Sequence, residues 1–252
     1  MNLNEAKRQY LEAKEEIRQN KIDEELWEAD RAELYRLRDI VKKHGLYLIS
    51  DEVYREFVYS DEPYLSALAL EGIEENAVLV DSVSKRYSEC GIRVGVLVTR
   101  NPRVREAVMK VAQARLSPPL LGQIVAERSL DAPKEYLDGV YREYRERRDF
   151  LIGALNRIPG VYTPMPEGAF YTMVRLPVDD AEKFCRWLLT DFAWVSDRFP
   201  EGETVMMAPG AGFYANPEFG RQQVRMAYVL CVEDLSRAVF VLSKALEEYN
   251  RL

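Results

Sequence analysis

Histidine is almost absent from this chain of 252 residues, with His44 the single example. His44 follows Lys42 and Lys43 in what reads as the last turn of a helix, where cations complement the helix dipole. Neither a histidine-based catalytic triad nor a histidine metal cluster is therefore expected. Cysteine is scarce too: Cys90, Cys185 and Cys231 lie far apart with no C-x-x-C spacing, which excludes a disulfide framework or a zinc ribbon and suits a reducing compartment. Long apolar runs are missing, and none approaches the roughly 20 residues that cross a bilayer. The opening MNLNEAKRQYLEAKEEIRQN has no apolar signal core, so the expectation is a cytoplasmic protein with no membrane partner. A basic excess is also lacking. Lysine and arginine total 35 against 42 acidic residues, a net charge of −7, which argues against a nucleic-acid partner. What remains is 47% hydrophobic and 31% charged, an ordinary globular composition with room for one large core or two modest ones.

The pattern along the chain is α/β. Leu3, Ala6, Tyr10, Ala13 and Ile17 fall on one helical stripe, and Asp30 with Glu33 forms a capping-box signal for a second helix ending at Gly45. Apolar runs of strand length follow at 46–50, which reads as a buried strand, and at 77–83 and 92–99. Asn101-Pro102 has the form of an N-cap with proline at the first helical position, and that helix must stop before Ser117-Pro118-Pro119. A charged helix from Pro133 to about Arg157 ends at Pro159-Gly160, and its YREYRERRD run reads as a solvated face. Beyond it, strands at 169–177, 204–209 and 223–229, a helix near 180–192 and a terminal helix from Glu233 make an α+β unit. The expected division is N-terminal helices over 1–45, one domain over 46–158 and a smaller one over 159–252.

The chemistry concentrates in the polar loop from Asp81 to Gly95, DSVSKRYSECGIRVG, between two apolar strands. Any single lysine is ordinarily a surface charge. Here hydroxyl residues Ser82 and Ser84 precede Lys85, and Arg93 stands between Gly91 and Gly95, so an amine, hydroxyls and a guanidinium can gather about one phosphorylated ligand. The glycines would permit close backbone approach. Upstream, LYLISDEVYREFVY places Asp51 and Tyr54 at the end of a strand, and downstream GRQQVRMAYV sets Arg225 within an alternating strand.

These three segments, with PEGAFY (166–171) and PGAGFY (209–214), resemble the class I and II pyridoxal-phosphate (PLP) aminotransferases of fold type I, the aspartate aminotransferase-like group. The resemblance implies a PLP-dependent transferase fold: a shortened large-domain sheet with a C-terminal α+β domain. It further implies that Lys85 forms the internal aldimine with PLP and that Ser82, Ser84 and Arg93 serve the cofactor phosphate. Asp51 would face the pyridine nitrogen, Tyr54 the ring's phenolic oxygen, and Arg225 the substrate α-carboxylate. Phe170 or Tyr171 would line the site. The implied reaction moves an amino group between an L-amino acid and a 2-oxo acid, in a homodimer. Glu89 departs from the pattern, standing where the family carries an apolar residue. The resemblance begins at about residue 34, and the family's upstream N-P-T-G-like segment and phosphate-gripping turn have no counterpart; Asn20-Lys21-Ile22-Asp23 stands in their place. A truncated or engineered scaffold with little turnover, or another PLP reaction such as decarboxylation or β-elimination, stay open as alternatives, and a shortened sheet is expected to leave apolar faces uncovered.

Overall fold

The computed structural model describes residues 31–60 and 64–251. The stripe at 3, 6, 10, 13 and 17, and Asp30 of the capping box, lie outside the described residues. The chain divides into two compact units, 1–137 and 138–252, with the boundary inside the long helix that the sequence pattern assigned to the first domain.

In the first unit, helix α1 (Arg31–His44) ends at Gly45, whose φ of +60° lets the Leu46 amide bond back to the Val41 carbonyl at 3.0 Å. Strand β1 (Leu48–Asp51) pairs in parallel with β2 (Ala77–Ser82), and β2 pairs antiparallel with β3 (Gly95–Thr99), giving the order β1-β2-β3. Only central β2 has a run of buried residues, Ala77 to Leu79. The expectation of a buried strand at 46–50 is corrected: β1 is an edge strand and Ile49 is 70% exposed. On β3 the successive residues Val96, Leu97 and Val98 are all exposed, although they alternate between faces, so among the described residues side chains on both faces of that edge are exposed. The core is small: Val41, Leu70 and Ile73, with Leu34, Leu46, Leu48 and Leu65 against it.

Asn101 caps helix α3 (Pro102–Arg115) as its sequence suggested, accepting from the Arg103 and Val104 amides at 2.9 and 3.1 Å while its own amide donates to the Glu75 carbonyl at 2.7 Å. After Ser117-Pro118-Pro119 comes helix α4 (Leu120–Ser129). The short helix Val83–Arg86, numbered α2, lies between β2 and β3.

The second unit is built on α5 (Lys134–Leu155), which begins just before the boundary. Strands β4 (Tyr171–Arg175), β7 (Ala208–Pro209) and β8 (Gln223–Ala227) form an antiparallel sheet with β8 in the middle. Val174 and Val224 sit opposite one another with no exposed surface, among residues of α6 (Ala181–Thr190) and α7 (Val232–Tyr249) that include Phe184, Leu188, Val241 and Leu246. Each such buried side chain contributes about 1.5–3 kcal/mol. A hairpin of β5 (Trp194–Ser196) and β6 (Phe199–Glu203) was not legible, because Asp197, Pro200 and Gly202 break the alternation that marks a strand. The strand expected at 204–209 shrinks to Ala208–Pro209. The solvated face expected over 141–149 needs correcting at Arg148, which is 7% exposed. It lies on the helical stripe of Leu151, Ile152 and Leu155, and its guanidinium donates to the Pro166 carbonyl at 3.0 Å and pairs with Asp149 at 2.7 Å. Among the described residues no helix is long and apolar enough to cross a membrane.

Candidate active site

Because β1 and β2 are parallel, their C-terminal ends lie side by side, and Asp51 stands opposite Val80. The next backbone bond, from the Glu52 amide to the Val80 carbonyl at 2.9 Å, carries the pairing to the turn that holds Tyr54. Strand β2 ends at Ser82, which caps α2 by accepting the Ser84 amide at 3.1 Å, and Lys85 sits within that single turn. The loop then doubles back, with Ser88 and Arg93 in left-handed conformation at φ of +56° and +58°, and enters β3 at Gly95, directly across from Ser82. The antiparallel return of β3 thus brings Arg93 to the same end of the sheet as Asp51, Tyr54, Ser82, Ser84 and Lys85. The Lys85 ammonium stands 6.0 Å from the centre of the Tyr54 ring.

Within this cluster the Ser82 hydroxyl lies 2.7 Å from that of Ser84 and 3.0 Å from the Val94 carbonyl, which ties the two ends of the lysine loop together. Arg93 is exposed and donates to the Cys90 carbonyl at 3.1 Å. Asp51 accepts the Val53 amide at 3.2 Å, an N-terminal turn geometry that leaves its carboxylate at the surface. The close approach expected of the loop glycines holds for Gly95, where a Cβ would lie 3.2 Å from the Asp81 carbonyl oxygen, and fails for Gly91, which has open space about it. Glu89 is placed by α4: it accepts the Ser129 hydroxyl at 2.5 Å.

Several charged residues at this sheet end were not singled out by their sequence. Asp81, 7% exposed, is the lone charge of the apolar run AVLVDS, a signal that was available. Its carboxylate accepts from both Arg55 and Arg86 at 3.0 Å, and Glu56 pairs with the same two arginines at 3.8 and 3.0 Å. Glu52, 1% exposed, accepts the Ser66 hydroxyl at 3.0 Å and the Ala67 amide at 2.9 Å, holding the 66–67 segment against the end of β1. Burial and this neighbouring carboxylate push the Tyr64 hydroxyl above the ordinary tyrosine range.

Arg225 belongs to the second unit. It lies on central strand β8 opposite Met173 and Ala208, with its guanidinium 4.6 Å from the Phe213 ring centre and 5.3 Å from that of Tyr171. Tyr171 is its diagonal cross-strand neighbour, so the two project from one face. Phe170 instead stacks on Tyr144 at 5.4 Å against the core.

A family model described as aminotransferase class I and II matches residues 28–228, four fifths of the chain and all the segments above. The chain belongs to the class I and II aminotransferases. Among its relatives, an aspartate aminotransferase from Thermotoga maritima is 32% identical over 201 residues, covering 79% of this chain and 47% of that protein. One from Pyrococcus horikoshii is 28% identical over 215 residues, or 84% and 51%. Of solved structures, an aromatic aminotransferase from Pyrococcus horikoshii superposes with a TM-score of 0.74 at 27% identity, covering 88% of this chain and 57% of that one. An α-aminoadipate aminotransferase from Thermus thermophilus, complexed with N-(5′-phosphopyridoxyl)-L-leucine, gives 0.74 at 27%, covering 88% and 55%. Class I and II aminotransferases are PLP-dependent proteins of fold type I, and this chain has that fold in shortened form. It spans about half the length of the curated relatives it matches.

Proposed function

We propose that this chain is the lysine-bearing and C-terminal portion of a PLP-dependent aminotransferase, acting on an L-amino acid and a 2-oxo acid, with Lys85 as the point of cofactor attachment. The observation that carries the reading is the convergence of an amine, a phenol, a carboxylate, two hydroxyls and a guanidinium at one end of β1-β2-β3. This donor set fits PLP. The aldehyde requires an amine, the ring requires a carboxylate and a hydroxyl partner, and the phosphate requires hydroxyls and a guanidinium.

When bound, the cofactor supplies an electron sink for charge that develops at a substrate carbon. The residues of the chain do the rest. Lys85 would be the residue that holds the cofactor, through its Nζ, and with that amine free and neutral it would serve as the base for the proton at the substrate Cα. The Asp51 carboxylate would favour a proton on the ring nitrogen, and the Tyr54 hydroxyl would serve as a hydrogen-bond donor to the ring oxygen. Ser82, Ser84 and Arg93 would hold the phosphate; Ser82 and Arg93 now donate to the Val94 and Cys90 carbonyls. Arg225, beside the Tyr171 and Phe213 rings, would offer its fork to a carboxylate.

A second reading has its own support. Among the described residues, successive apolar side chains Val96, Leu97 and Val98 of edge strand β3 are exposed. A PLP-binding scaffold with little turnover, or one catalysing decarboxylation or β-elimination, fits that too. The test is to add PLP, reduce with borohydride and map the adduct, then mix the protein with amino acid and 2-oxo acid. A yellow, reducible adduct on Lys85 that is lost in Lys85→Ala supports the attachment; an unchanged spectrum in that variant overturns it. Adduct without amino transfer favours the second reading.

A further inference from the structure

Two chain segments carry the proposed cofactor contacts, one bearing Asp51 and Tyr54 and the other bearing Ser82, Ser84 and Lys85. Arg55 directly follows Tyr54, and Arg86 directly follows Lys85. Both guanidiniums converge on one oxygen of Asp81, each at 3.0 Å, while the other carboxylate oxygen accepts the Ser82 amide at 2.7 Å. Glu56 closes the ring through Arg86 at 3.0 Å and Arg55 at 3.8 Å. The four charges alternate in sign and cancel, so Asp81 can be buried without an uncompensated charge. Side-chain exposures of 7% for Asp81 and 16% for Arg86 bury the Asp81–Arg86 pair, where a charge-assisted bond is strong and salt screens it little, while Arg55 at 31% and Glu56 at 41% form the solvent-facing side of the ring.

We infer that Asp81 is a positioning residue that locks the Tyr54 turn to the Lys85 turn, holding the phenol and the amine in register for one cofactor ring. The backbone alone does not do this. Among the described residues the last β1–β2 ladder bond is that of Glu52, and Lys85 lies in a single helical turn, so the bonds of Arg55 and Arg86 to Asp81 add a link between the two turns beyond the ladder and beyond the 6.0 Å approach of Lys85 to the Tyr54 ring. The inference rests on the reading of Lys85 and Tyr54 as cofactor contacts, but the lock itself exists without any ligand.

Asp81→Asn keeps the shape and removes the charge on which both arginines converge. Hydrogen–deuterium exchange of the ligand-free protein should show amides of 53–57 and 83–88 losing protection together, while those of 223–227 stay unchanged. The PLP concentration giving half-maximal borohydride trapping on Lys85 should rise about ten-fold, the scale of a lost charged hydrogen bond. Asp81→Glu, which restores the charge, should recover part of both effects. Loosening of one segment alone, or of neither, overturns the inference, as does unchanged trapping beside a normal parent protein. If the parent itself traps no PLP on Lys85, the cofactor reading fails, and the exchange result alone decides whether the lock exists.

Discussion

Adding a single methyl group at Gly122 tests how α4 braces the lysine loop. Gly122 and Ala126 are the buried residues of that helix, and a Cβ built at Gly122 would lie 2.6 Å from the Ile92 carbonyl oxygen, against 3.4 Å for an ordinary contact. The clash is with backbone, so no side-chain rotation relieves it; either α4 or the loop carrying Arg93 must move. Overpacking of this kind costs about 1–3 kcal/mol. The opposing term is helix propensity, which favours alanine over glycine by about 1 kcal/mol in a helix interior and by less in a first turn. Gly122→Ala should therefore destabilise by about 1–2 kcal/mol, lowering a urea midpoint by roughly half a molar for ordinary slopes. Gly153→Ala supplies the control: it is exposed in α5 with nothing within 4 Å, so only the propensity gain applies and stability should rise by up to about 1 kcal/mol. Urea unfolding followed by circular dichroism reads both variants. Equal stabilisation by the two would refute the idea that α4 presses on the loop.

Leu188→Ala, at a site with no exposed surface in the second unit, should cost about 2–5 kcal/mol, and a loss below 1 kcal/mol in chemical unfolding would contradict the packing described. Arg225→Lys should leave the borohydride adduct intact and reduce kcat/KM for an amino acid by about ten-fold or more, because lysine keeps the charge without the planar fork; equal kcat/KM would remove Arg225 from substrate binding. The Tyr249 hydroxyl donates to Asp179 at 2.8 Å, and burial together with that carboxylate raises its pKa from 10.0 to about 12. A group whose folded-state pKa is raised stabilises fully below its unfolded value, so this contribution is present below pH 10 and disappears as pH climbs from 10 to 12. Tyr249→Phe should show a shallower loss of stability over that window, measured by thermal unfolding against pH, and an identical slope would count against the linkage. Burial likewise pushes the Cys185 thiol up to about 11, so a thiol reagent at neutral pH should label exposed Cys90 and reach Cys185 only on unfolding.

Local signals were enough for much of the fold. Asn101-Pro102 announces a helix start because both its cap and its proline act within four residues, and Gly45 announces a stop for the same reason. The β5–β6 hairpin was hidden, since no alternation marks it even though its partners are only 3 to 9 residues apart. Arg148 was misplaced because a charge in a charged run gives no hint that its helical stripe continues into Leu151, Ile152 and Leu155. In the site, the D-E-V-Y and S-x-S-K segments could be named from residue order alone. Asp81 could not be given its partners that way, because Arg55 and Arg86 are set 26 and 5 residues from it and meet only where β1 and β2 run side by side.

The order of residues by itself determined the helix boundaries, the alternation of apolar runs and the chemical groups available, since each depends on the conformational and solvation preferences of neighbouring residues. Tertiary structure alone decided that β1 and β2 are parallel and β3 antiparallel, and so brought Asp51, Tyr54, Lys85 and Arg93 to one sheet end. It also decided that β1 is an edge among the described strands, that Asp81 is buried with two guanidiniums on its carboxylate, and that Arg225 approaches the Tyr171 and Phe213 rings. These follow from pairing and packing between segments far apart in the chain, whose energies no local stretch of sequence contains.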